Sequence, residues 1–317
     1  MTLTRVVAGL LLLSACRSGQ GSAPIGAPTA RPGQFRIVGY LPSWRGPDFT
    51  VPYQRLTHLN YAFALPTPSG GLTDLRAPDR LDAVVTAAHA SGVKVCLSVG
   101  GWHDGDDSAF ERMAADAGAR AAFVEAGLAV VAAHHLDGLD IDWEYPDRGA
   151  SAVNFVRLMA ELAARLHPAG KLLTAAVVAR GEQGEGILPQ VFASTDFINV
   201  MAYDADESGR TNHSPYDYAV ASLRYWRDRG LPRDKLVLGV PFYGRTPATS
   251  YRELFRLDPR AGEKDQIGTI GYNGLATIKR KTSLALAEGS GIMIWEITED
   301  TTDQNSLLRA INEVVSR

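Results

Sequence analysis

Residues 137–144 read Asp137-Gly138-Leu139-Asp140-Ile141-Asp142-Trp143-Glu144. Successive side chains of a strand point to opposite faces. Leu139, Ile141 and Trp143 therefore share one face, and Gly138, Asp140, Asp142 and Glu144 share the other. Same-face neighbours stand about 6.5–7 Å apart along the strand. In a barrel the apolar face meets the surrounding helices, and the acidic face points inward and climbs toward the C-terminal mouth.

Working outward from this run, seven other apolar runs have strand character: 35–41, 56–64, 93–100, 172–178, 197–203, 236–243 and 291–297. Helical spacing follows most of them. Leu81, Val84, Val85 and Ala88 mark a helix over 78–90 that Gly92 ends. Similar patterns cover 119–133, 152–166, 218–229, 275–287 and 305–315, and the helices after the first and fifth strands look short or irregular. Strand then helix, eight times over about 280 residues, predicts an α/β fold, the (β/α)₈ TIM barrel. The rival is a doubly wound open sheet, which wants a glycine-rich phosphate turn after its first strand. Here that strand runs into Leu41-Pro42-Ser43-Trp44-Arg45-Gly46, which is no such turn.

The chain has 317 residues with 35 acidic and 32 basic side chains, 45% hydrophobic and 21% charged. These are globular proportions. A net charge of −3 offers no broad basic surface, so no nucleic-acid partner is expected. The two cysteines, Cys16 and Cys96, exclude a disulfide-rich scaffold and a paired Cys-x-x-Cys zinc site.

Residues 1–15 have one charge, Arg5, and an apolar stretch, Val6 to Leu13, shorter than the roughly 20 residues that span a bilayer. They read as a secretory signal. Leu13-Ser14-Ala15-Cys16 resembles the bacterial lipoprotein signal, which implies that Cys16 becomes the first mature residue and carries lipid. Residues 16–34 are small, polar and proline-broken, a flexible tether. A folded unit over 35–317 follows. The protein is then expected in the bacterial cell envelope, a monomer touching membrane only through its N-terminal lipid.

Three carboxyls inside a barrel are costly, and no Lys or Arg in the run neutralises them. At least one should hold its proton through like-charge repulsion and desolvation. Such groupings suit active sites. As a metal site, Asp140, Asp142 and Glu144 would be oxygen ligands, with Asp204 a possible fourth. As an acid–base site, Glu144 would donate a proton, tuned by the acids below it. The few histidines show no ligand spacing, which favours the acid–base reading, without metal or other cofactor. Cys96 and Ser98 share a face of the third strand, where Cys96 reads as packing. His134 and His135 precede the fourth strand at the stability end of a barrel.

The run Asp137 to Pro146 resembles the catalytic signature of glycoside hydrolase family 18, the chitinase family. Ser98-Val99-Gly100-Gly101-Trp102, Met201-Ala202-Tyr203-Asp204, Gly239 to Arg245 and Met293-Ile294-Trp295 match the same family in the same order. The likeness runs from about Phe35 to the end of the chain. It implies Glu144 as the general acid and the acetamido oxygen of the substrate's own N-acetylglucosamine as the nucleophile. This is the substrate-assisted exception to two-carboxylate glycosidases. It further implies that Asp142 binds the acetamido N–H and stabilises the oxazolinium, that Asp140 shares a proton with Asp142, and that Tyr203 donates to the acetamido oxygen. Asp204 would help hold that sugar, from beyond the strand end, because its parity differs from Tyr203. Gly101, Trp102, Trp295, Tyr40 and Phe63 are candidate substrate contacts, and Trp44 a candidate platform, whereas Trp143 and Trp226 read as core.

One departure from the family pattern counts. Many members insert a small α+β domain after the seventh strand, but Gly244 to Gly274 is too short for it. The implied activity is hydrolysis of β-1,4-linked N-acetylglucosamine in chitin or its oligomers. An endo-β-N-acetylglucosaminidase acting on N-glycans is the alternative. A sugar-binding barrel without catalysis is the non-enzyme alternative, disfavoured by an intact Glu144.

Overall fold

The computed structural model describes Met1 and residues 35–316, apart from 47, 48, 74 and 206–211. Cys16 and the expected tether lie outside the described residues. Eight parallel strands close into a barrel: β1 (Arg36–Pro42), β2 (His58–Ala64), β3 (Lys94–Gly100), β4 (Gly138–Asp142), β5 (Leu172–Val178), β6 (Phe197–Met201), β7 (Leu236–Pro241) and β8 (Gly291–Trp295). Each pairs with its sequence neighbours, and β8 closes onto β1 through Arg36 opposite Gly291. The eight expected runs are the eight strands: β5 matches its run, β1 is shifted by one residue, and the other six are one to three residues shorter where the chain bends into loops.

The helices are α1 (Pro78–Ala90), α2 (Ser108–Ala115), α3 (Ala117–Ala133), α4 (Ala150–Leu166), α5 (Gln190–Ser194), α6 (Tyr216–Asp228), α7 (Tyr251–Leu257), α8 (Leu275–Glu288) and α9 (Leu307–Val315). A proline at the first position of α1 fits there because that N–H has no helical partner. The Asp116 carboxylate accepts from the Ala119 N–H and caps α3. As the sequence suggests, β1 is followed only by a short 3₁₀ turn and β5 by a 3₁₀ turn and the five-residue α5. Two helices escape the sequence reading. α2 buries only Phe110, Met113 and Ala114, and α7 only Tyr251 and Leu254, too few to set a period. α7 belongs to the 244–274 excursion, whose remainder is two two-stranded ribbons and a 3₁₀ turn rather than a domain.

Leu139, Ile141 and Trp143 are buried outward against the helices. Trp143 stacks on Phe110 at 5.1 Å, meets Phe155 edge-on, and its Nε1 donates to Asp107 at 2.8 Å. Losing a buried side chain of this kind costs about 3–5 kcal/mol. That packing fixes the pleat of β4 and so aims Asp140 and Asp142 inward.

The strand starts are tied by a recurrent contact. Thr57 Oγ1 accepts from Ile37 N, Asp137 Oδ2 from Val95 N and Asp196 Oδ2 from Leu173 N, each at 2.8 Å. In each case the residue just before an even-numbered strand takes the second N–H of the preceding odd one.

Candidate active site

Asp140 is wholly buried in the barrel interior. Tyr40 and Ser98 hydroxyls donate to its Oδ2 at 2.7 and 2.8 Å. Thr174 Oγ1 donates to its Oδ1 at 2.5 Å, and Asn199 Nδ2 reaches the same oxygen at 3.4 Å. Burial raises the Asp140 pKa, and these four donors pull it part of the way back. They arrive from β1, β3, β5 and β6, so the barrel itself is the cage.

Asp142, one layer higher and also buried, is treated differently. Its Oδ1 has no hydrogen-bond partner among the described residues. Burial, then the charge of Glu144, then that of Asp140, hold its pKa well above the carboxylate range. Among the described residues no hydrogen bond joins Asp140 to Asp142, and both Asp140 oxygens accept from the four donors. The two carboxyls meet through charge instead.

Glu144 lies two residues past the end of β4. Burial raises its pKa to about 7; the Tyr145 hydroxyl draws it down and the Asp204 charge pushes it up. A carboxyl of that pKa is about half protonated at neutral pH, the range in which a general acid can both hold and give up its proton.

Asp204 stands beyond the end of β6, where the chain turns through a left-handed residue, φ 57°. This is the position its parity requires. Tyr243 Oη donates to its Oδ1 at 2.6 Å, and Arg245 Nε lies 3.2 Å and His213 Nδ1 3.0 Å from the same oxygen. Burial opposes ionisation, but the hydrogen bonds from His213 and Tyr243 and the charges of His213 and Arg245 win, and its pKa falls. The site thus sets Glu144 and Asp142, both pushed toward keeping a proton, against Asp204, which is pushed to lose it, and environments that drive carboxyl pKa values apart divide acid from electrostatic partner. Tyr203 Oη lies 3.8 Å from Met293 Sδ and borders the same cleft.

The cleft, about 660 Å³, brings together Tyr40, Phe63, Trp102, Asp142, Glu144, Tyr145, Tyr203, Asp204, Arg245 and Trp295. Asp140 lies beneath it and Gly101 behind Phe63. Gly101 has φ 92°, and a Cβ there would come within 2.6 Å of the Phe63 ring; Gly100, at φ 119°, would meet the Asp142 carbonyl at 2.1 Å. These two positions accept glycine alone. Phe63 and Trp295 stack at 5.6 Å, Tyr40 meets Trp295 edge-on, and Trp44 stands 6.0 Å from Phe63 and 6.5 Å from Trp295. Trp102 lies 6.4 Å from Tyr145 on the other side. Trp44 and Trp102 are about half exposed, 49% and 55%, so their ring faces are open to solvent. Among the described residues no group of three or more His, Cys, Asp or Glu side chains is placed to hold a metal ion.

Residues 36–300 match the sequence profile of Glycosyl hydrolases family 18. The chain belongs to this family. It is 31% identical over 252 residues to an endochitinase of Manduca sexta, covering 67% of this chain and 45% of that protein. It is 31% identical over 251 residues to a probable endochitinase of Caenorhabditis elegans, covering 71% of this chain and 39% of the other. The chain spans less than half the length of these curated relatives. Among solved structures, it resembles the GH18 chitinase from the chitin utilization locus of Flavobacterium johnsoniae, with a TM-score of 0.77 at 30% identity over 89% of this chain and 94% of that one. A chitinase from Bacteroides thetaiotaomicron gives 0.80 at 26%, over 89% and 96%.

Several residues of this family 18 site escape sequence reasoning. Thr174 and Asn199 could have been found, since parity along β5 and β6 puts both inward. Tyr243 and Arg245 lie in a quoted motif, but their bond to Asp204 is a tertiary fact. His213 and Lys281 carry no local signal. Lys281 is wholly buried and donates to Ser214 O, Ser214 Oγ and Asn273 Oδ1 at 2.6–2.7 Å, fixing the segment that presents His213. Burial lowers its pKa to about 7. A larger hollow, about 760 Å³, opens at the opposite end of the barrel beside Arg36, His58, Lys94 and Asp196. The Asp196 carboxylate there is engaged by the Leu173 N–H and His167, so it is no counterpart to the unsatisfied Asp142. Cys96 is buried and free.

Proposed function

We propose that this protein hydrolyses β-1,4-linked N-acetylglucosamine polymers or oligomers, with retention at the anomeric carbon. The observation that carries the proposal is the contrast at the top of β4. Glu144 holds a proton up to about pH 7 beside a buried Asp142 carboxyl whose Oδ1 has no protein partner. Glu144 protonates the glycosidic oxygen. The acetamido oxygen of the bound sugar attacks the anomeric carbon from the other face, giving an oxazolinium. As the acetamido group becomes a cation, the proton that Asp142 holds passes to Asp140; Asp142 accepts from the acetamido N–H, which supplies the missing partner, and its negative charge stabilises the cation. Tyr203 donates to the acetamido oxygen. Water assisted by Glu144 then opens the ring on the face first vacated. Phe63, Trp295, Trp44 and Trp102 offer flat apolar surfaces to the sugars. The names of the relatives support chitin as the polymer class. The short 244–274 excursion adds no domain-sized wall to the cleft, which suits oligomers or loose chains better than processive work on crystals.

The direct test is product analysis on chitin oligomers beside a high-mannose glycopeptide. Shortened oligomers with a β anomer in the earliest product support the proposal. Release of the glycan with no action on the oligomers moves the enzyme to N-glycans, and a dominant α anomer removes the acetamido nucleophile.

We further propose that the chain is anchored in the cell envelope through a lipid on Cys16, as a monomer. β1 begins at the end of the barrel opposite the cleft. Cys16→Ser should release the enzyme from membranes; an already soluble, unlipidated wild type would refute the anchor.

A further inference from the structure

Between the first strand and its turn, Pro42 to Arg45 form a short segment whose only large apolar side chain is the half-exposed Trp44. Two arginines hold it. Arg80, from α1, donates through Nη1 to the Arg45 carbonyl at 2.5 Å and reaches the Ser43 carbonyl at 3.3 Å. Arg45 turns the other way. Its Nε donates to Glu296 Oε1 at 2.8 Å and its Nη2 to Glu299 Oε1. Glu296 follows Trp295 directly. The guanidinium therefore joins the residue after Trp44 to the residue after Trp295, beneath two rings that stand 6.5 Å apart.

The partners are unusual for a surface ion pair. Arg45 is 38% exposed, but Glu296 is 2% and Glu299 15% exposed. Exposed pairs contribute little; here a single planar fork engages two shielded carboxylates, the geometry to which arginine is suited and lysine is not. Glu296 is also held by Thr298 N and Oγ1 at 2.7–2.8 Å, so the anchor is rigid. Burial, then the Glu296 charge, raise the Glu299 pKa to about 7 against the pull of Arg45. Without Arg45 those two acids would repel each other, and the Trp44 segment would keep its tie to Arg80 and the Ser43 N–H bond to the Ala62 carbonyl but lose its link to the residue after Trp295.

We propose that Arg45 is a positioning residue that sets chain-length preference: by clamping Glu296 and Glu299 it holds Trp44 beside Trp295 as the outer part of the saccharide wall. Its side chain pairs with Glu296 and Glu299 rather than with the acids of β4, and it does not line the cleft. The inference rests on the saccharide reading above.

The test is KM and kcat for N-acetylglucosamine oligomers from dimer to hexamer, for wild type, Arg45→Met, Arg45→Lys, Trp44→Ala and the Arg45→Met/Trp44→Ala double variant. Arg45→Met should raise KM roughly three- to tenfold for oligomers long enough to reach Trp44, about the scale of one aromatic contact. The shortest substrates and kcat should be unaffected. Arg45→Lys should fall between, since an ammonium cannot span both carboxylates as the fork does. The double variant should be no worse than Trp44→Ala, because a clamp has nothing left to position. Additive losses in the double variant, or an equal rise in KM at every length, would overturn the assignment while leaving the enzyme a chitinase. A wild type inactive on every oligomer would overturn the saccharide reading, and the assignment with it. If Arg45→Met does not fold, the same length dependence must appear in Arg45→Lys or the proposal fails.

Discussion

β4 carries carboxyls at both ends, and the two ends treat them in opposite ways. At the foot, Asp137 Oδ2 accepts from the Val95 N–H at 2.8 Å and lies 2.7 Å from His89 Nε2. At the head, Asp142 Oδ1 has no partner among the described residues, and Glu144 is held protonated to about pH 7. Six residues separate Asp137 from Glu144. An acid whose partners are backbone N–H groups and a histidine ties strands together. An acid buried beside other acids, with no donor, raises the free energy of the folded state. The foot of the strand is built for stability and the head for chemistry at stability's expense. Asp140, between them, is the hinge of the comparison: buried like Asp142, yet satisfied by four donors.

The largest effect should come from the head. Glu144→Gln keeps the shape but has no proton to give. General acid catalysis contributes about 10²–10⁴-fold, so kcat should drop at least that far while oligosaccharide binding survives. A variant turning over near the wild-type rate would remove Glu144 from its role and with it the contrast between the ends.

Next comes Asp142→Asn. The amide retains size and hydrogen-bonding capacity but cannot supply the negative charge that the proposed acetamido cation requires. Removing one preorganised electrostatic partner typically costs about 10²–10³-fold in kcat. KM should change little, because the interaction strengthens in the transition state. A stable thiazoline mimic of the oxazolinium should bind wild type well and Asp142→Asn poorly. Equal binding to both would assign the charge elsewhere.

How much of this was legible in the sequence follows the same division. Strand parity alone put Asp140, Asp142 and Glu144 on the inner face and Trp143 on the outer, because the period of a strand is fixed by covalent geometry. The eight strands were legible for the same reason: continuous apolar runs punctuated by turns. What parity could not supply was the partner of each acid. Asp140 and Asp142 are two residues apart and look alike in sequence. Their difference comes from Tyr40, Ser98, Thr174 and Asn199, up to 100 residues away along the chain. Arg45 and Glu296 are 251 apart and meet only because the barrel closes β8 onto β1. α2 and α7 were missed because short helices bury too few residues to show a period.

A milder expectation concerns pH. In the proposed role Glu144 acts only when protonated, so kcat/KM should fall about tenfold per unit above pH 7, on the alkaline limb that its pKa of about 7 sets. The same shift bears on stability. Glu144 holds its proton in the folded state up to about 7, whereas the unfolded chain releases it near an ordinary value of about 4.3. The folded form thus binds more protons between those values, and its stability falls as pH rises through them. Glu144→Gln should remove that loss, melting higher than wild type above about pH 7 and alike below about pH 4. Coincident melting at both pH values would mean that Glu144 is not held protonated, and the head of β4 would lose its distinction from the foot.

The smallest catalytic effect should come from the foot. Asp137→Ala deletes the acceptor of the Val95 N–H and of His89. An unsatisfied backbone donor and a lost charge-assisted contact together cost about 1–3 kcal/mol, visible as a lower midpoint in urea. The site should not notice. Gly138 to Asp142 keep their ladder to β3, with Cys96 opposite Gly138 and Ser98 opposite Asp140, and Trp143 keeps its stack on Phe110. Turnover per folded molecule should therefore match wild type at temperatures well below the transition. The decisive measurement sets Asp137→Ala beside Asp142→Asn on two axes, midpoint and kcat. The foot variant should move only the first. The head variant should move the second downward and leave the first unchanged or raised, since a neutral amide replaces a carboxyl that burial disfavours. Should Asp137→Ala lower kcat as far as Asp142→Asn does, the two ends of the strand act as one unit, and the separation of stability from chemistry along β4 is wrong.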